Sequence, residues 1–158
     1  MTRRRWVVNA SPLIFLAKID ALPLLRQLAA EVLVPFSVRA EVLIPRESRR
    51  LLELPDWLTF REDLPLPPEI AGWDLGAGES QVLAHAQVSG SEAVLDDFEA
   101  RQCARALGVS TTGTLGVILR AKRSALVPEA RPLLEELLRK GLYLSRDLLE
   151  QALKEVGE

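Results

Sequence analysis

A chain of 158 residues that is 48% hydrophobic holds enough apolar side chain for one sizeable core and little for a second, so a single domain over 1–158 is expected. The formal charge of -2 and the pI near 5.6 exclude a broad basic face that grips many phosphates, so any nucleic-acid contact must be local. The one cysteine, Cys103, permits no intrachain disulfide and fits a reducing, cytoplasmic setting.

Met1 to Arg5 and the apolar run after them superficially resemble a secretory signal. Asn9, Ser11, Pro12, Lys18 and Asp20 interrupt that run and no small-residue cleavage site follows, so export is not expected. No stretch reaches the roughly 18 apolar residues that a membrane span needs. Asn9 is the sole asparagine and arginine far outnumbers lysine, a balance compatible with a heat-adapted or GC-rich source.

In chain order, Trp6 to Val8 is a short buried-strand candidate, and Ser11 can cap a helix whose first turn tolerates Pro12. A second helix from about Ala21 to Ala30 leads into a strand at Val32 to Val34, after which Ser37 to Leu43 and Arg46 to Glu53 read as helical. Trp57 to Phe60 is a brief strand or an extended segment outside the sheet, and proline-rich Leu64 to Glu69 is a surface loop. From Gly78 to Val88, Val82, Leu83 and Ala86 recur at helical spacing until Gly90 stops the element. Ala93 to Leu95 is a strand ending at Asp96 and Asp97, followed by a helix to Leu107 and Gly108, and Val109 starts a further short strand. Gly113 opens a helix to about Arg123, and two leucine-rich helices, Pro132 to Lys140 and Arg146 to Val156, finish the chain. Short apolar strands alternating with helices predict a three-layer α/β/α fold with a central parallel sheet.

Such sheets bind ligands outside the carboxyl ends of their strands. Asn9, the Asp96-Asp97 pair and the run Ser110-Thr111-Thr112 all follow strands and would open on that edge, and Glu41 and Glu79 lie on helices that can reach it. Clustered carboxylates repel one another, and a hard cation offsets that cost, which points to magnesium or manganese and to phosphodiester hydrolysis. Taken singly, Glu41 and Glu79 are ordinary helix-surface acids, Asp96-Asp97 serves equally as a helix cap, and Asn9 as a turn residue. His85 reads as a packing or surface histidine and Cys103 as a small core residue. No phosphate loop, dinucleotide fingerprint or metal-spaced Cys/His set is present.

VVNASPLI at 7 to 14, VPFSVRAEV at 34 to 42, LGAGESQVLAHA at 75 to 86, VLDDFEARQCA at 94 to 104 and GTLGVILRAK at 113 to 122 together resemble the PIN-domain nucleases. The likeness is to their prokaryotic, VapC-like branch of predicted nucleic-acid-binding proteins and spans nearly the whole chain. It implies metal ligands at Asn9, Glu41, Glu79 and Asp97, with Asp96 as an extra or alternate ligand, and catalytic roles for Glu41, Glu79 and Asp97. It also implies that Ser11, Arg101, Thr111 and Thr112, with Gly113, help to bind metal water or phosphate. The family usually has aspartate where Asn9 stands, which lowers the charge expected at the site. The resemblance further implies an Mg2+- or Mn2+-dependent ribonuclease acting on RNA, the toxin of a toxin-antitoxin pair, a protein antitoxin as partner, and a homodimer. The alternative is a catalytically weak PIN-like domain that binds nucleic acid or protein.

Overall fold

The computed structural model describes residues 4–43 and 53–158. Five parallel strands form the sheet in the order β3 (Thr59–Arg61), β2 (Ala29–Pro35), β1 (Arg4–Val8), β4 (Glu92–Val94) and β5 (Thr111–Thr112). Helices flank it as the alternating pattern predicts: α1 (Ala10–Lys18), α2 (Pro23–Leu28), α3 (Phe36–Val42), α4 (Pro68–Ala71), α5 (Ala77–Ser89), α6 (Phe98–Leu107), α7 (Thr114–Arg123), α8 (Arg131–Arg139) and α9 (Arg146–Glu155). Helix α5 lies across β1, β2 and β4 and touches α3 and α6, whereas α7 packs against α1, α2 and α8. Buried from both sides, β1 and β4 carry apolar residues without alternation: Trp6, Val7, Val8, Ala93 and Val94.

The chain leaves β1 toward β2 and β3 and later returns to the other side of β1 to add β4 and β5. Strand order therefore reverses at β1, where a crevice opens beyond the carboxyl ends of adjacent strands. Asn9 follows β1 and Asp96 follows β4 by two residues, and the Asn9 amide donates to the Val94 carbonyl at 3.0 Å. The sheet topology thus brings together two residues 87 positions apart.

Several expectations need correction. The helix after β1 starts at Ala10 with Asn9 as N-cap, so Ser11 is inside the first turn and its hydroxyl bonds elsewhere. Strand β2 takes over at Ala29, because Ala29, Val32 and Val34 are buried in the sheet and tertiary burial outweighs the helical propensity of the alanines. Thr59–Arg61 does join the sheet, as its edge strand beside β2. Pro68 begins the short helix α4 within the expected loop, since proline is preset for a first helical turn. Strand β5 starts at Thr111 rather than Val109. The helix expected at Arg46 to Glu53 lies, apart from Glu53, outside the described residues.

The amino end of the sheet is closed by one carboxylate. Glu92 is buried, and its Oε1 accepts from Trp6 Nε1 at 2.6 Å and Arg120 Nη1 at 2.8 Å, while its Oε2 accepts from Arg4 Nη1 and Arg120 Nη2 at 3.1 Å. The Arg120 guanidinium also stands 5.6 Å from the Trp6 ring centroid, so β1, β4 and α7 share one polar knot.

His85 is buried on α5, with Nε2 donating to the Glu62 carbonyl at 3.0 Å. Burial lowers its pKa, the Glu62 carbonyl and Asp63 pull it up, and Arg61 adds to the lowering. A base whose folded pKa is depressed favours the native state fully above its unfolded value, and that contribution is lost as pH falls below it. We therefore expect melting temperature to fall between about pH 7 and pH 5, with part of the fall absent in His85→Gln. Parallel acid profiles for the two proteins would count against this assignment. Cys103 is fully buried and burial pushes its thiol up, in keeping with a core residue.

Candidate functional site

The N-termini of α5 and α6 carry the acids Glu79 and Asp97, and that of α7 meets Asp96 from the end of β4; each supplies amide hydrogens and a partial positive charge that suits a carboxylate. Asp97 is the N-cap of α6, its Oδ2 accepting from the Ala100 amide at 2.9 Å. The side chain is exposed. Asp96 is more heavily bound: Oδ1 accepts from the Thr114 amide at 2.7 Å, and Oδ2 from Thr114 Oγ1 at 2.7 Å and Ser11 Oγ at 3.0 Å. That carboxylate ties the starts of α1 and α7 to the end of β4. Gly113 permits the approach, since a Cβ there would lie 3.0 Å from Asp96 Oδ1 and 3.4 Å from Arg101 Nη1.

On the other side of β1, Asn9 and Glu41 meet over Gly78, in the first turn of α5. A Cβ on Gly78 would stand 2.6 Å from Glu41 Oε1 and 3.2 Å from Asn9 Oδ1, so any side chain larger than glycine's would occupy the space between the two oxygens. Asn9 is 3% exposed, and its Oδ1 is the one buried side-chain oxygen or nitrogen without a hydrogen-bond partner among the described residues. An acceptor buried without a donor costs about 1–3 kcal/mol, so such an atom calls for a missing donor or cation. A water donating to both oxygens would meet the need, and so would a hard cation. Oxygen donors beside an uncrowded glycine fit a divalent ion.

Glu79 lies over Gly76, where an added Cβ would overlap its Oε2. Among the described residues no three His, Cys, Asp or Glu side chains come close enough together to hold a metal ion. The expected residues therefore share one sheet edge but fall into smaller groups: Asn9 with Glu41, Asp96 with Ser11, Glu79 over Gly76, and Asp97 on α6. Thr111 lines an open groove beside α6, together with Arg101. Thr112 is buried, with Oγ1 in the space that a Cβ on Gly116 would take.

Gly78 and Thr114 were not foreseen as site residues. Gly78 stood in the LGAGES run beside Glu79, where paired glycines before an acid signal a close approach. Thr114 directly follows Gly113, but only the fold brings it to Asp96.

No functionally curated protein matches the sequence. A family profile described as PIN domain matches residues 5–158, nearly the full length, and with the parallel sheet and the polar edge now in place, the chain belongs to the PIN-domain family and has its nuclease-type fold.

Proposed function

We propose that this chain is an Mg2+- or Mn2+-dependent endoribonuclease that hydrolyses RNA phosphodiesters in the cytoplasm, as the toxin of a toxin-antitoxin pair. The observation that supports it is the buried, donorless Asn9 Oδ1 beside Glu41 Oε1 over Gly78. PIN nucleases usually use divalent metals, and the residues that would hold one here are Asn9 and Glu41, with Glu79 and Asp97, which stand in separate groups on the same edge, as the further ligands that the family pattern implies. When bound, such an ion makes a water more acidic and neutralises charge on a phosphoryl oxygen. Asp96, with both oxygens engaged, acts as the positioning residue for α1 and α7, whereas Asp97 has one oxygen on Ala100 and another to offer. Arg101 would orient a phosphate, and Glu41 or Glu79 would take a proton from the attacking water.

The antitoxin and homodimer belong to the same proposal. Leu134, Leu137, Leu149 and Leu153 enter the chain's own core, which leaves Tyr143 and Leu148 as the exposed apolar residues near α8 and α9 for a partner to cover.

A second reading, a PIN domain that binds nucleic acid or protein without cutting, draws on the neutral amide at Asn9 and on the absence of a three-acid group among the described residues. Melting curves with magnesium and manganese separate the two. A ligand at a hundred times its Kd stabilises the native state by about 2.7 kcal/mol. Asn caps a helix about as well as Asp, so Asp97→Asn should melt like the parent without metal and lose most of the metal-induced rise. A parent that shows no rise and no manganese-dependent cleavage of RNA would leave the binding-only reading.

A further inference from the structure

We propose that Asp63 is a positioning residue that sets Glu41 over Gly78, by capping α3 from a segment that Gln81 and His85 strap to α5. This rests on the cation reading above and names residues away from the site that would fix its geometry. Helix α3 has seven residues, fewer than the roughly 12 that an isolated helix needs in water, so its place depends on what holds it. Its N-cap is Pro35, which has no side-chain acceptor. Asp63 supplies one from 26 positions away: Oδ1 accepts from the Ser37 amide at 3.0 Å, and Oδ2 from the Ser37 hydroxyl. Ser37 and Glu41 stand at i and i+4, so the capped residue lies one turn before Glu41 on the same side of the helix. The Arg39 guanidinium, 5.0 Å from the Phe60 ring centroid, adds a second contact from α3 to the same stretch of chain.

The segment itself is held by α5. Leu64 donates its amide to Gln81 Oε1 and accepts at its carbonyl from Gln81 Nε2, both at 2.8 Å, as it would with a neighbouring strand. His85 Nε2 donates to the Glu62 carbonyl at 3.0 Å. Gln81 and His85 are buried polar side chains that the proposed chemistry does not use. Apolar residues would pack a helix onto this segment without the need to find partners for a buried amide and a buried imidazole. What the polar pair adds is register, since three directed bonds fix where residues 62 to 64 sit along α5.

Gly78, Gln81 and His85 fall at i, i+3 and i+7, one stripe of α5. The face that receives Glu41 at Gly78 therefore also fixes the segment that caps α3, and the path from α5 through the segment and α3 closes back on α5. A shift of Asp63 would move α3, and with it the carboxylate whose Oε1 stands 2.6 Å from the place of a Cβ on Gly78.

The test compares the full-length parent with Asp63→Ala and Asp63→Asn, by calorimetric titration with manganese and by hydrogen exchange of the backbone amides without metal. Asp63 is exposed, so both variants should fold. Asn loses the same charge as Ala, but its oxygen still accepts from the Ser37 amide and its NH2 can donate to the Ser37 hydroxyl. Asp63→Ala should speed exchange in α3 and raise the manganese dissociation constant, each by up to about fivefold, the equilibrium factor of one helix cap acting on the share of chains with Glu41 in place. Asp63→Asn should bring both back near the parent, and α6 should exchange alike in all three. Gln81→Met, which frees Leu64, should act in the same direction as Asp63→Ala, and parent-like values in it would overturn the strap. Where the parent binds manganese, an unchanged dissociation constant in Asp63→Ala would overturn the proposal even if α3 exchanged faster, because the cap would then stabilise without positioning. An Asn variant as impaired as the Ala variant would overturn it too, since the lost charge would be the cause. A parent that binds no manganese would sink the cation reading alone, and α3 exchange would then decide the clasp: faster in Ala and normal in Asn upholds it, unchanged in both overturns it.

Discussion

Replacing Glu92 by alanine is expected to cost about 3–5 kcal/mol, because it removes the common acceptor of three donors and leaves a partly buried guanidinium without its counter-charge. Trp6 is fully buried, so its Nε1 hydrogen would lose its partner with no access to water. For a chain of this size 1 kcal/mol corresponds to about 2–4 °C, so melting should fall by roughly 6–20 °C. Glu92→Gln should fall less, since the amide oxygen can still accept from Trp6 while the charge is lost. The Arg4 arm contributes least, because Arg4 is 60% exposed and water can replace its partner. Arg4→Ala should therefore stay within about 1 kcal/mol of the parent. Denaturant melts of the four proteins measure this ordering, and an Arg4 variant as damaged as Glu92→Ala would show that the knot is not centred on Glu92.

The sheet was legible because burial on both faces writes itself into the sequence as short runs such as Trp6 to Val8 and Ala93 to Leu95. Helices with strong stops were equally clear: Gly90 and Gly108 have φ of 66° and 73°, the left-handed conformation that ends α5 and α6 and that glycine adopts without strain. Edges were less clear. Strand β3 has only three residues, none of them buried, so its membership depends on hydrogen bonds to β2 that no pattern in Thr59–Arg61 announces. The start of β2 is hidden in the sequence because Ala29 and Ala30 favour helix locally and only packing against β1 decides for the strand.

Site residues were legible as strand-end and helix-start polar groups, but their pairing was not. Asp96 and Asp97 are adjacent and similar in sequence, yet one is fixed by Ser11 and Thr114 while the other caps α6. That division depends on the direction of the Cα–Cβ bond at each position and on the glycine at 113, which leaves room for the Asp96 carboxylate beside Thr114. The approach of both Asn9 and Glu41 to one spot depends on a third residue, Gly78, whose contribution is the lack of a side chain.

Asn9→Asp separates the two readings of this site most sharply, because it adds a negative charge at nearly unchanged shape where an acceptor already lacks a donor. The parent has an escape: turned by half a rotation, the same amide would present Nδ2 to the Glu41 carboxylate and donate to it. A carboxylate at position 9 cannot. Without metal, the variant should therefore lose about 1–3 kcal/mol, or several degrees of melting temperature, because a second carboxylate would then stand with Glu41 around Gly78. With magnesium or manganese the gap should narrow or close, since a charged ligand holds a divalent ion more tightly than a neutral one. The dissociation constant should drop by about tenfold or more, or 1.4 kcal/mol, and any rate of RNA cleavage should rise with it. Calorimetric titration beside metal-free melting curves reads both effects on the same two proteins. If metal affinity and metal-free stability both stay at the parent's values, the oxygen of Asn9 takes no part in a cation site and the space over Gly78 holds water alone.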